Sequence, residues 1–191
     1  MDTPVVIDNP SPNHSARLGT KVDVVLLHHT GPGTDEGVLS WLCSPRSVSS
    51  AHYLVGVHGT IWRLVDEGRA AWHAGKGCLP WETEPYNFNL RSVGVEVVNP
   101  GDGKKPFTEA QYRALEWLVP SIVSRMRGTA CAVFAGWTPG LSLGFPFNAG
   151  QRYVFGHRDT AWPRGRKVDP ADNFEWVRIR QALAAQSSGA V

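Results

Sequence analysis

Residues 22–31 read VDVVLLHHTG. The run from Val22 to Leu27 is apolar and rich in β-branched side chains, the pattern of a strand buried in the centre of a sheet rather than one facing water. It ends abruptly at His28-His29-Thr30, where a Gly-Pro-Gly-Thr turn at 31–34 follows. A buried strand that runs straight into two histidines organises the rest of the chain around its end.

Working outward, Thr34 is placed to cap a short helix over 35–43, with acidic residues in its first turn, and Pro45 closes it. Residues 52–57 and 60–65 read as two strands joined around His58-Gly59. Residues 92–98, SVGVEVV, form a second buried strand that carries Glu96 in its middle and breaks at Asn99-Pro100-Gly101. Thr108 and Gln111 make a capping box for the longest helix, 109–125, whose apolar set is Leu115, Leu118, Val119, Ile122 and Met126. Pro120 is expected to kink that helix or mark a boundary in it. A last short strand covers Tyr153-Val154-Phe155, and a terminal helix is expected over 173–184. Strands and helices alternate without strict βαβ periodicity. The expected class is therefore α/β, a single domain with a mixed central sheet flanked by helices. It spans 21–184, with a Pro-, Asn- and Ser-rich surface arm at 1–20, an irregular insertion at 128–150 and a tail at 185–191.

The chain of 191 residues is 42% apolar and 19% charged, the profile of an ordinary globular domain with a substantial core. A formal charge of +2 with interspersed signs argues against nucleic acid or a polybasic membrane surface as partner. No run approaches the roughly 18 apolar residues of a membrane span. The N-terminus has no basic region ahead of an apolar core and no small-residue cleavage site, so a cytoplasmic location is expected. Cys43, Cys78 and Cys131 are isolated, which suits a reducing compartment and core packing rather than metal binding.

The chemistry concentrates in residues 153–176, YVFGHRDTAWPRGRKVDPADNFEW. This stretch holds too much Gly and Pro for a helix, so His157 and Asp169 are expected in a loop, as two ligands for a metal such as zinc. Lys167 lies two residues before the carboxylate and on the same side of an extended chain. His28 is the natural third ligand. Alternation sends His28 and His29 to opposite faces, and spacing alone leaves open which of them meets the site. Two histidines and one carboxylate leave a fourth tetrahedral position open, the mark of a catalytic zinc site with water as nucleophile. Glu96 is the candidate base, since a carboxylate buried among Gly94, Val95, Val97 and Val98 needs a partner or a job. The competing reading is an edge-strand Glu facing water. Lys167 is a candidate oxyanion donor, against a solvated Lys in the basic run RGRK. His73, in Ala71-Trp72-His73-Ala74-Gly75, suits the gripping of a sugar or peptide, or holds a loop. His14 and His58 are read as surface residues and His52 as packed beneath a strand.

Five segments together resemble the type 2 N-acetylmuramoyl-L-alanine amidases, the zinc family that includes phage lysozyme-type amidases and peptidoglycan recognition proteins. They are VVLLHHTG at 24–31, SSAHYLVGVHGTIWRLV at 49–65, AWHAG at 71–75, SVGVEVVNPG at 92–101 and GHRDTAWPRGRKVDP at 156–170. The resemblance implies a zinc ion held by His28, His157 and Asp169, with Glu96 as acid/base residue and Lys167 as transition-state donor. It places His73 near the substrate cleft, and Trp72 and Arg91 are the further candidate substrate-binding residues. The implied reaction is cleavage of the amide between the lactyl group of N-acetylmuramic acid and L-alanine. Ala51 stands where some phage and recognition-protein relatives carry Tyr, which leaves Glu96 as the evident base. That, with Asp as the third ligand, resembles the cytoplasmic enzymes that recycle anhydro-muropeptides. A phage-type endolysin acting on intact wall, and a peptidoglycan-binding module without catalysis, are the two alternatives.

Overall fold

A computed structural model describes residues 4–126, 131–133 and 152–188. It sets the 22–31 run at the heart of a mixed sheet. In chain order the strands are β1 (Val6–Asp8), β2 (His14–Ala16), β3 (Val24–His29), β4 (Tyr53–Val55), β5 (Ile61–Arg63), β6 (Arg69–Ala71), β7 (Lys76–Gly77), β8 (Tyr86–Asn87), β9 (Ser92–Val97), β10 (Cys131–Val133) and β11 (Arg152–Gly156). The helices are α1 (Asp35–Leu42), α2 (Glu109–Arg125), α3 (His157–Thr160) and α4 (Trp176–Ser188). Seven of the described strands pair in the order β1-β5-β4-β9-β3-β11-β10. Within that sheet β4 and β5 are antiparallel and the other described pairs are parallel. β2 pairs with β6 and β7 with β8 in two small ribbons.

Alternation along β3 and β9 sorts the core into two layers. Val25, Leu27, Val93, Val95 and Val97 face α2 and α4, meeting Leu115, Leu118, Val119, Ile122 and Ile179. Val24 and Leu26 face the opposite way, onto Ala74, Leu79 and Phe88. His28 follows Val24 and Leu26 on that second face.

The capping box at Thr108 forms as expected, with the Gln111 amide N–H on the Thr108 hydroxyl at 3.1 Å and the Thr108 N–H on the Gln111 side chain at 2.9 Å. Pro120 marks no boundary, because α2 runs unbroken to Arg125 and buries the ring in its interior. The terminal helix starts at Trp176 rather than Asn173. A turn first drops Phe174 into the core, edge-on to Phe107 at 5.1 Å.

The first residues described form the exposed edge strand β1, yet Ser11, Asn13 and Arg17 turn into the interior. Of the expected insertion at 128–150, Cys131–Val133 form β10 beside β11, and its other residues lie outside the described residues. Among the described residues no helix is long and apolar enough to cross a membrane.

Candidate metal centre

β3 and β9 run in register with His28 opposite Glu96, so both side chains leave the same face near the C-terminal ends of adjacent parallel strands. β11 ends beside them and delivers His157. The expectation that His157 sits in a loop is corrected here: it is the first residue of the one-turn helix α3. Gly and Pro spread over a long segment do not forbid one turn. The Asp159 carboxylate closes this one by accepting the Gly156 N–H at 3.1 Å. Asp169 then arrives on an extended return of the chain, whose carbonyl accepts the Arg158 N–H at 2.9 Å.

These three residues converge. Asp169 Oδ2 lies 2.8 Å from His28 Nδ1 and 3.0 Å from His157 Nδ1. All three are buried, and their ligating atoms fall within 4.8 Å of one another. The far nitrogen of each ring is engaged elsewhere, His157 Nε2 with the Ala74 carbonyl at 3.2 Å and His28 Nε2 with His73 Nδ1 at 3.0 Å. Burial pulls the His28 pKa down to about 4, against the pull of Asp169, so its ring is neutral at pH 7. Burial alone would raise the Asp169 pKa, but the two imidazoles against it hold it below the usual carboxylate range. Two imidazoles and a carboxylate, buried and convergent, fit a zinc ion by the chemistry of the donor set.

Glu96 stands beside this triad on a strand flanked by β3 and β4, so the edge-strand reading fails. Its Oε2 is buried without a hydrogen-bond partner. Burial first, and the Asp169 charge second, push its pKa up to about 8, with Lys167 pulling the other way. Lys167 lines the same cleft, a hollow of about 790 Å³ shared by His28, Glu96, His157, Asp169 and Trp72.

The structure divides the three substrate expectations. Arg91 sits ahead of β9, at the end of that strand away from Glu96, and does not line the cleft. Its guanidinium is bound by both Asp23 oxygens, Glu82 and the Tyr86 hydroxyl, so it belongs to the scaffold. His73 does line the cleft, but both its ring nitrogens are committed, to His28 and to Ser92 Oγ at 3.2 Å. Trp72 remains on the cleft wall, its indole N–H 3.4 Å from Ser15 Oγ. Trp41 of α1, passed over in the sequence reading, is exposed on the same wall. Asn89 was missed as well. Its side-chain Oδ1 accepts the N–H groups of His73, Ala74 and Gly75. A usable signal existed in Gly94, since a glycine inside a buried strand marks a close approach. A Cβ there would stand 2.4 Å from the His73 ring.

A profile of the N-acetylmuramoyl-L-alanine amidases matches residues 18–172. The N-acetylmuramoyl-L-alanine amidase AmiD of Escherichia coli is 30% identical over 184 residues, covering 89% of this chain and 55% of that protein. The chain therefore spans about half the length of that relative. The 1,6-anhydro-N-acetylmuramyl-L-alanine amidase AmpD of Haemophilus influenzae is 30% identical over 134 residues, 70% of this chain and 58% of that one. The solved complex of E. coli AmiD with anhydro-N-acetylmuramic acid-L-Ala-D-gamma-Glu-L-Lys superposes with a TM-score of 0.62. It is 26% identical and covers 91% of this chain and 60% of that one.

Proposed function

The chain belongs to the N-acetylmuramoyl-L-alanine amidase family, and from that premise we propose that it is a zinc-dependent hydrolase of the lactyl–L-alanine amide in anhydro-muropeptides. The observation that carries the proposal is an unpartnered carboxyl beside a convergent ligand triad: Glu96, with its proton affinity raised by burial, next to His28, His157 and Asp169. Those three residues would hold zinc, which when bound lowers the pKa of water and polarises the scissile carbonyl.

The remaining roles fall to the chain itself. Glu96 takes a proton from the water as its oxygen adds to the lactyl carbonyl carbon. It returns that proton to the nitrogen as the C–N bond breaks, leaving a lactyl carboxylic acid and an L-alanine amine, between which the second water proton then passes. A carboxyl raised to about 8 by burial titrates lower beside a dication, which brings it into the range of a base at neutral pH. Lys167 presents its ammonium to the carbonyl oxygen as negative charge develops there. Trp72 and Trp41 offer apolar faces to the sugar and peptide.

The anhydro-muropeptide reading draws its support from the relatives, one named for an anhydro-muramyl substrate and one solved with such a substrate bound. A cytoplasmic location belongs to that same recycling reading, and cell fractionation tests it. The deciding experiment measures zinc content and compares peptide release from anhydro-muropeptides with release from whole sacculi. Stoichiometric zinc with faster release from the soluble fragment is expected. Release from sacculi alone would replace recycling by wall degradation, and zinc-loaded protein that releases nothing would make the chain a binding module.

A further inference from the structure

We propose that the loop His73–Gly75, pinned by Asn89, is the outer shell that sets the tautomer and aim of both histidine ligands. The inference rests on the zinc reading of the site and assigns to His73 and Asn89 a positioning role toward that ion.

With a cation between the two rings and Asp169 each near nitrogen is bare, and the direction of every other bond then follows from the acceptor-only carbonyl at the far end of each chain. On the His157 side the end is the Ala74 carbonyl, 3.2 Å from Nε2. Nε2 must therefore carry the proton, and the Nδ1 lone pair faces Asp169. On the His28 side the end is the Phe88 carbonyl, to which Ser92 Oγ donates at 2.7 Å. That donation uses the single hydroxyl proton, so Ser92 accepts from His73 Nε2–H at 3.2 Å. His73 Nδ1 is then bare and accepts from His28 Nε2–H at 3.0 Å. His28 Nδ1 is left bare, again facing Asp169. Two independent chains of bonds thus turn a lone pair from each ring toward one carboxylate oxygen, where a cation is the natural third party.

Both chains pass through adjacent residues, the side chain of His73 and the carbonyl of Ala74. What fixes this pair is Asn89, itself buried, whose Oδ1 accepts from the N–H groups of His73 at 3.1 Å, Ala74 at 2.7 Å and Gly75 at 3.2 Å. The Phe88 N–H adds a bond to the Gly75 carbonyl at 2.8 Å. β9 makes room for the arrangement at Gly94, where any Cβ would collide with the His73 ring. Neither His73 nor Asn89 is a ligand, yet each controls how the ligands present themselves.

The test measures zinc affinity by chelator competition, the visible spectrum of the cobalt-substituted protein, and kcat and KM separately. His73→Ala and Asn89→Ala are expected to weaken zinc binding about 10- to 100-fold, the usual range for loss of such a partner. The cobalt bands should shift as well. His73→Asn keeps an acceptor near the position of Nδ1 and should recover most of the affinity. If either alanine variant does not fold, Ser92→Ala carries the test, since it removes one hydroxyl and breaks the His73 chain. A several-fold loss of affinity is expected there. Wild-type affinity and an unchanged cobalt spectrum in the folded variants would overturn the proposal, and a rise in KM alone would make His73 a substrate contact. Failure of the wild-type protein itself to bind zinc would instead remove the zinc reading beneath it.

Discussion

Arg91 and Glu96 lie five residues apart at opposite ends of β9, and each is a charged group drawn into the interior of the same strand's surroundings. Their treatment by the fold is opposite. Arg91 has two carboxylates and a phenol around it, and these raise its pKa above the ordinary arginine value despite the cost of burial. Glu96 has an oxygen with no partner and a proton affinity raised by the same kind of burial. A charge with every partner supplied fastens a scaffold, while one left unsatisfied in a cleft is poised to exchange a proton. The two ends of β9 should therefore respond to mutation in different currencies, activity at one and stability at the other.

The largest effect is expected at the cleft end. Asp169→Ala removes the oxygen that both histidines face, so bound zinc and amide hydrolysis should both fall to background. Metal analysis after dialysis checks this, and full retention of zinc would name another carboxylate as ligand. Glu96→Gln comes next. Zinc should stay bound while kcat drops on the order of 10²- to 10⁴-fold. Its stability change has a predictable sign. Because burial raises the Glu96 pKa from 4.5 to about 8, the metal-free wild type loses stability as pH rises through that interval. The Gln variant escapes this loss, so without metal it should melt no lower than wild type at pH 8. A marked fall in its melting temperature would show that Glu96 is part of the scaffold after all. Lys167→Met should cost less, about 10²-fold in kcat with zinc retained. An effect confined to KM would make it a ground-state contact.

How much of this contrast was legible in the sequence depends on what periodicity can carry. The buried strands, the capping box of α2 and the cleft position of Glu96 follow from local pattern, because alternation and caps are written in neighbouring residues. The convergence of His28, His157 and Asp169 spans 141 residues; residue type and strand ends suggested the set, and the resemblance that linked the segments chose His28 over His29. The placement of Arg91 away from the cleft was illegible for the same reason that Asn89 was missed. The partners of a polar side chain come from tertiary neighbours, Asp23 and Glu82 in one case and backbone N–H groups of the next loop in the other.

At the scaffold end, Arg91→Met leaves the buried Asp23 carboxylate without its guanidinium. Breaking a buried pair costs about 3–5 kcal/mol, and partial exposure of Arg91 brings the expectation down to about 2–3 kcal/mol. For a chain of this size that is a fall of roughly 5–10 °C in melting temperature. kcat per folded molecule should not change. Unaltered stability with a raised KM for the muropeptide would return Arg91 to the substrate site.

The smallest effect lies between the two ends, at the buried His52 packed against Gly94. Its Nδ1 accepts the Gly94 N–H at 2.9 Å, and its Nε2 lies between the Arg69 carbonyl at 3.0 Å and the Arg17 Nη2 at 2.9 Å. A second proton would have to displace the Gly94 bond in a buried site next to the Arg17 guanidinium. Burial first, and that charge second, lower the His52 pKa from 6.5 to about 3. The unfolded chain binds a proton below pH 6.5 that the fold refuses until near pH 3, so stability present above 6.5 is lost as pH falls across that window. The slope belonging to one such group is at most about 1.4 kcal/mol per pH unit. His28 and His73 are also lowered by burial and share the acid sensitivity, so the metal-free His52→Gln variant should show a shallower fall in melting temperature, not a flat one. An unchanged slope would mean that His52 is protonated within the fold. The middle of β9 would then hold a charge with no partner, and the division between its satisfied and unsatisfied ends would have to be redrawn.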